Sequence, residues 1–116
     1  MDLRSFYKGK KVLVTGHTGF KGSWLSWFLL DLGANVVGYS KAPIDYRGNH
    51  FNLTNLKKEM ASYEGNTLDF AKFEGVVKSE KPEIILHLAA QPIVNVSYED
   101  PVETFQSNAM GTICLL

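Results

Sequence analysis

The chain has 116 residues, 45% hydrophobic and 21% charged, with twelve basic and twelve acidic side chains that cancel to zero net charge. That length builds one domain around one core, and the balanced charge argues against nucleic acid or an anionic membrane as a partner. A single cysteine, Cys114, leaves no internal disulfide framework and suits a reducing cytoplasm, and no apolar run is long enough to span a bilayer or to read as a signal peptide.

Residues 2–10 read as a polar lead-in, with Phe6 and Tyr7 placed to pack on a sheet edge. Lys11–Thr15 is a short β-branched strand that stops at Gly16. The turn Gly16-His17-Thr18-Gly19-Phe20-Lys21-Gly22 follows, and an apolar helix runs over Phe20–Leu32. Strand, glycine-spaced turn and helix, in that order, are what a dinucleotide pyrophosphate requires. Gly16 reverses the chain, Gly19 has no Cβ to hold the backbone away from a phosphate, and Gly22 lets helix and strand approach. The helix begins with unpaired N–H groups and roughly +0.5 charge of dipole aimed at the ligand. His17 and Lys21 are the basic residues on this turn. A P-loop is excluded, because Lys21-Gly22 transposes the Gly-Lys order that loop needs.

The first helix is apolar on nearly every side, through Trp24, Leu25, Trp27, Phe28, Leu29, Leu30 and Leu32, a pattern that predicts burial all round. Gly33 closes it, and Val36–Ser40 is the second strand. Within Lys41–Asn55, Ala42-Pro43 and Arg47-Gly48-Asn49 are turn material. A helical turn is expected around Phe51–Leu56 and a third strand over Met60–Tyr63. Asp69–Ser79 reads as a helix with Phe70, Phe73 and Val77 on one face. Glu83–Leu88 is a continuous apolar strand, the pattern of a parallel strand buried on both faces.

Asp100, Pro101 and Glu103 form a helix start, with an N-cap, proline at the first position and an acid three residues after the cap. Val102, Phe105, Ala109, Ile113 and Leu116 continue that helix as one stripe, which reaches Leu116 without a stop signal and reads as interrupted. The alternation β-α-β-β-α-β-α predicts an α/β fold, a Rossmann-type doubly wound parallel sheet with strand order 3-2-1-4. Its ligand crevice belongs where the first and fourth strands end. His50, His87 and Cys114 share no metal-ligand spacing, so no metal is expected, and His87 reads as a satisfied core histidine. The sequons at Asn52 and Asn95 carry no meaning without secretion.

Thr15-Gly16-His17-Thr18-Gly19-Phe20-Lys21-Gly22-Ser23-Trp24-Leu25 resembles the N-terminus of the extended short-chain dehydrogenases/reductases, and within that superfamily most the CDP-glucose 4,6-dehydratases. The likeness resumes at Pro82-Glu83-Ile84-Ile85-Leu86-His87-Leu88-Ala89-Ala90-Gln91-Pro92, at Ser97-Tyr98-Glu99-Asp100-Pro101 and at Asn108-Ala109-Met110-Gly111-Thr112.

The resemblance implies that residues 1–116 are the N-terminal part of an NAD(P)-binding Rossmann domain in a nucleotide-sugar dehydratase. It places Ala89, Ala90 and Gln91 on the nicotinamide side and Asn108 in support of the active site. Ala42 stands where an acid usually holds the adenine ribose, leaving that task to Ser40, Lys41 or Asp45. Lys41 would alternatively favour a 2′-phosphate, so NADP stays beside NAD as cofactor. Asn66, with Thr67 next to it, takes the place of an acid near the adenine amino group, and an amide carbonyl accepts the same hydrogen bond.

The family's catalytic Tyr-x-x-x-Lys has one match here, Tyr7 with Lys11, which precedes the first strand and reads as coincidence. The 116 residues alone are therefore expected to be inactive. The terminal helix is expected to mediate a homodimer, and the uncovered fourth strand to promote self-association. The partners implied are NAD and a nucleotide sugar, with no nucleic acid and no membrane. A different sugar-nucleotide epimerase or reductase, or a dinucleotide sensor without chemistry, are the alternative readings.

Overall fold

The computed structural model describes residues 1–43 and 48–116; Asp45 and Arg47, read above as a ribose contact and as turn material, lie outside the described residues. Four parallel strands form one sheet in the order β3-β2-β1-β4, as the alternation requires. They are β1 (Lys11–Thr15), β2 (Asn35–Ser40), β3 (Ala61–Glu64) and β4 (Ile84–His87). Val12, Leu13 and Val14 of β1 are fully buried, because β1 lies between β2 and β4 with helices on both faces. One face gathers Val12, Val14, Leu29, Val36 and Phe51, and the other Leu13, Val37, Tyr39, Phe73 and Val76. Each such side chain contributes roughly 1.5–3 kcal/mol when fully buried.

Helix α1 (Leu3–Tyr7) is a single turn within the lead-in, capped by Asp2, whose carboxylate accepts from Ser5 N–H; Tyr7 packs beneath the sheet. Helix α2 (Phe20–Asp31) departs from expectation. It is not buried all round: Trp24 and Trp27 are 49% and 48% exposed. Its inner face is made of Gly22, Ser23, Ser26 and Leu29, spaced so that small residues meet the sheet and the aromatics point outward. Counting apolar residues around the helix missed that the small ones do the packing.

The β2–β3 crossover carries α3 (His50–Leu53) and a 3₁₀ turn (Leu56–Lys58) rather than a single turn over Phe51–Leu56. β3 begins one residue later than expected, with Met60 buried just before it. In α4 (Phe70–Glu80) the buried residues are Phe73 and Val76, while Phe70 is exposed at the first position. β4 is half-buried along its length, not buried on both faces, because among the described residues it has a strand neighbour on one side only.

Beyond β4 the chain forms a further helix, α5 (Val94–Glu99), which is not part of the expected alternation. The terminal helix starts as expected, with the Asp100 carboxylate accepting from Glu103 N–H and Pro101 at the first position. It is α-helical over α6 (Pro101–Phe105), π-helical over Gln106–Met110, and α-helical again over α7 (Gly111–Leu115). Its stripe is largely uncovered, Phe105 being 73% exposed.

Candidate functional site

The Gly-rich turn sits at the C-terminal end of β1, where strand order changes direction between β2 and β4. Gly16 adopts φ +76°, donates its N–H to the Tyr39 carbonyl at 2.9 Å, and lies so close to β4 that a Cβ there would meet Ala89 N at 2.8 Å. A Cβ on Gly22 would stand 2.0 Å from the Gly16 carbonyl oxygen. These two glycines let turn, strand and helix share one small volume. Gly19 differs. It is the N-cap of α2, offers no capping side chain, and a Cβ on it would meet only the Gly16 carbonyl oxygen, at 3.3 Å. The first amides of α2 are thus left without a side-chain cap at an exposed glycine, the arrangement an anion needs.

Around this cradle, Thr18 ties the turn to the end of β2. Its hydroxyl donates to the Lys41 carbonyl at 3.1 Å and accepts from Ser40 Oγ at 2.8 Å. Phe20 and Lys21 are exposed at the start of α2, so Lys21 carries the turn's accessible positive charge.

His17 does not share that role. Its ring is 1% exposed, packed edge-on to Phe51, with Nε2 hydrogen-bonded to Ser62 Oγ at 2.7 Å and Gly38 directly against it. Burial drives its pKa down to about 4, weakly opposed by the Tyr39 backbone, and Nδ1 has no hydrogen-bond partner among the described residues. The imidazole is neutral at physiological pH, which corrects its reading as a basic group beside the phosphates.

A cavity of about 130 Å³ opens at the ends of β2 and β3, between Thr18, Ser40, Lys41, Lys57, Ser62 and Glu64. It lies where the ribose contacts were expected, and it brings Ser40 and Lys41 together. Asn66 is placed differently: its Oδ1 accepts from Leu68 N–H at 3.0 Å, which leaves a single lone pair of the carbonyl for any other donor. Thr67 is buried beneath the terminal helix, where a Cβ on Gly111 would meet its Oγ1 at 2.8 Å.

On the opposite side of β1, Ala89 N–H donates to Thr15 Oγ1 at 3.2 Å, with Ala90 and Gln91 following. Asn108 holds Gln91 at both backbone groups, accepting from its N–H at 2.7 Å and donating to its carbonyl at 3.1 Å. The asparagine sits in the π-helical turn, which shifts the side-chain register there. The structure therefore brings Gln91 and Asn108 together.

Three polar groups with no site role expected from sequence, Thr15, Thr112 and Glu103, also take part. Thr15 Oγ1 accepts from Leu88 and Ala89 N–H, so its own proton goes to His87 Nδ1, 2.6 Å away. His87 then carries its proton on Nε2 and donates to Thr112 Oγ1 at 3.3 Å, and Thr112 donates to the Asn108 carbonyl at 2.7 Å. Burial lowers the pKa of His87, in keeping with a neutral relay. Both ring nitrogens are satisfied, as expected of a core histidine, although the residue is half-buried. Glu103 of α6 is the third group, with Oε1 3.2 Å from Lys41 Nζ. The Lys41 ammonium, helped by the Ser107 hydroxyl, holds its carboxyl below the usual range. Such partners, 62 residues apart in the chain, leave no local spacing signal.

The residues present thus fit a dinucleotide: an uncapped helix start at an exposed glycine, a polar cavity at β2 and β3, and small residues at the end of β4. Among the described residues no cluster of ligating side chains could hold a metal ion. No helix among the described residues is long and apolar enough to cross a membrane.

Comparison with known proteins agrees with this geometry. The sequence family described as GDP-mannose 4,6 dehydratase matches residues 13–116. CDP-glucose 4,6-dehydratase of Salmonella typhimurium is 48% identical over 114 residues, covering 97% of this chain and 31% of that enzyme. dTDP-D-glucose 4,6-dehydratase of Dictyostelium discoideum is 35% identical, covering 92% of this chain and 25% of the other. Among solved structures, UDP-glucose 4-epimerase of Thermus thermophilus in complex with NAD superposes with a TM-score of 0.79 at 32% identity, covering 90% of this chain and 32% of that one. The chain spans between a quarter and a third of the length of these relatives.

Proposed function

Because the chain belongs to the GDP-mannose 4,6 dehydratase family, we propose that it is the dinucleotide-binding part of an NAD-dependent nucleotide-sugar 4,6-dehydratase acting on CDP-glucose. The uncapped start of α2 at the exposed Gly19, flanked by the close-packed Gly16 and Gly22, is the observation that carries the dinucleotide reading. Identity of 48% to the Salmonella CDP-glucose enzyme supports the substrate, against 32% to the Thermus epimerase.

When bound, NAD would accept hydride from C4 of the sugar and return it to C6 after water is lost across C5 and C6. In this reading the chain's own residues bind and orient. The first amides of α2 and Lys21 meet the pyrophosphate, and Thr18 and Ser40 fix the turn against β2. Lys41, with Asn66 and Thr67, borders the adenosine end, and Ala89, Ala90 and Gln91, clamped by Asn108, border the nicotinamide end. Tyr7 and Lys11 lie at the opposite end of β1 from the crevice, and Lys11 Nζ is paired with Glu80, which supports reading their spacing as coincidence. We accordingly expect the 116 residues alone to be inactive, and the half-buried, free Cys114 to belong to a cytoplasmic protein.

The uncovered stripe on the terminal helix, with its apolar groove at Val102, Phe105, Ala109 and Met110, supports a homodimer through that helix. Light scattering on the 116 residues should report association at high concentration; a monodisperse monomer would count against it.

Calorimetric titration of NAD into the full-length enzyme tests the dinucleotide reading. Gly19→Val should fold normally and lose binding, because its side chain fills the space a phosphate would take. Unchanged affinity in the folded variant would reduce Gly19 to a turn residue and remove the main support for the reading.

A further inference from the structure

Dinucleotide sites commonly place an acid after the second strand to take the ribose hydroxyls. Here none of the described residues from Ser40 to Asn55 is acidic, and Lys41 occupies the end of β2 instead. A lysine at that place, left unpaired, would attract the 2′-phosphate of NADP. It is not left unpaired. Glu103 reaches across from α6, with Oε1 3.2 Å from Lys41 Nζ and 3.0 Å from Ser107 Oγ. Its second oxygen, Oε2, is enclosed by protein and has no hydrogen-bond partner among the described residues. A further negative group brought close to that enclosed oxygen would be repelled.

The other charges lining the ribose cavity, Lys57 and Glu64, are of opposite sign. With Lys41 paired to Glu103, the described residues of the cavity carry no net positive charge. A ribose diol needs only neutral hydrogen-bonding groups, and the Ser40 and Ser62 hydroxyl oxygens in the lining keep lone pairs that can accept from it. A phosphate monoester brings close to two negative charges at neutral pH and needs a free cation to replace its lost hydration.

Resting on the dinucleotide reading above, we propose that Glu103 is a specificity-determining residue that favours NAD over NADP by neutralising Lys41 from a neighbouring helix. Among the described residues, the acid that acts on this position comes from α6. Glu103 discriminates by withholding a cation from the 2′ position.

The test is a pair of calorimetric titrations, NAD and NADP, into the full-length enzyme as wild type, as Glu103→Gln, and as Glu103→Gln combined with Lys41→Met. Glutamine keeps the length and the hydrogen bond to Ser107 while removing the charge. The ratio of the NADP to the NAD dissociation constant should fall about tenfold in Glu103→Gln, the worth of one charge-assisted hydrogen bond. It should return toward the wild-type value in the double variant. An unchanged ratio in Glu103→Gln overturns the proposal, and so does a fall that the Lys41→Met change fails to reverse. Wild-type enzyme that binds neither nucleotide would instead overturn the dinucleotide reading itself, so the two failures are distinct.

Discussion

β1 and β4 lie side by side in parallel register, Leu13 opposite Ile85 and Val14 opposite Leu86, and both are short apolar strands ending near the crevice. Their surroundings are unlike. Val12, Leu13 and Val14 have no exposed surface, whereas every residue of β4 is half-buried. β1 has a strand on each side, packed helices on both faces and a glycine turn that β2, β4 and α2 all touch. β4 has β1 alone. Composition tells what a strand is built to bury, and position in the sheet decides how much it does bury. The proposed crevice straddles the same division: the fully buried strand leads into the glycine turn, and the half-buried strand leads into Ala89, Ala90 and Gln91.

The largest effect should come from breaking the packing around β1. Gly22→Ala would place a Cβ 2.0 Å from the Gly16 carbonyl oxygen, a backbone atom that cannot swing aside. The helix must back away from β1, and the expected loss is about 3 kcal/mol or more, at the upper end for overpacked cores. Chemical denaturation reads it; a loss under about 1 kcal/mol would mean the turn is more pliant than this contact implies.

A second pair of variants measures the two strands directly. Leu13→Ala removes a fully buried side chain from the cluster of Val37, Tyr39 and Phe73, and should destabilise by roughly 3–4 kcal/mol. Ile85→Ala, one strand over on the same face, should lose less, since part of its surface already meets water. Equal losses would erase the contrast. In a longer protein that covers the outer edge of β4, the two values should converge.

The same contrast marks what was legible in the sequence. Strand order, the Gly16–Gly22 cradle and the Asp100–Pro101–Glu103 helix start were readable because each rests on residues adjacent in the chain. The outward-facing Trp24 and Trp27 were not, because the inner face of α2 is held by Gly22, Ser23 and Ser26, whose contribution is smallness and not hydrophobicity. The direction of the His17 ring depends on the space at Gly38 and on Ser62, which β2 and β3 bring in from elsewhere in the chain. Asn108 was expected to support the site, yet its clamp on Gln91 depends on a π-helical turn that no composition signal announces. The Lys41–Glu103 pair joins distant elements and is visible only once they are folded together.

The two histidines at these strands give the smallest and most selective test. His17 has a folded pKa of about 4 against an ordinary 6.5, caused by burial. Below pH 6.5 the unfolded chain therefore takes up a proton that the folded chain refuses. The stability conferred by His17 is complete above that value and is lost as pH falls toward 4. Between about pH 7.5 and about pH 4.5 the loss should be roughly 2–3 kcal/mol, before the carboxylates Glu80 and Glu103, whose pKa values are also lowered, lose their own share at lower pH. His87 acts in the same direction, its pKa lowered by burial, but it is half-buried and hydrogen-bonded at both nitrogens, so its share is the smaller. Denaturation curves across this range should lose most of their pH slope in His17→Gln and little of it in His87→Gln. Ring-proton NMR supplies a check that needs no variant: the His17 imidazole should stay neutral down to about pH 5. A His17 resonance that titrates near its ordinary value would show that the ring is open to water, and would restore it as a cation beside the phosphate turn.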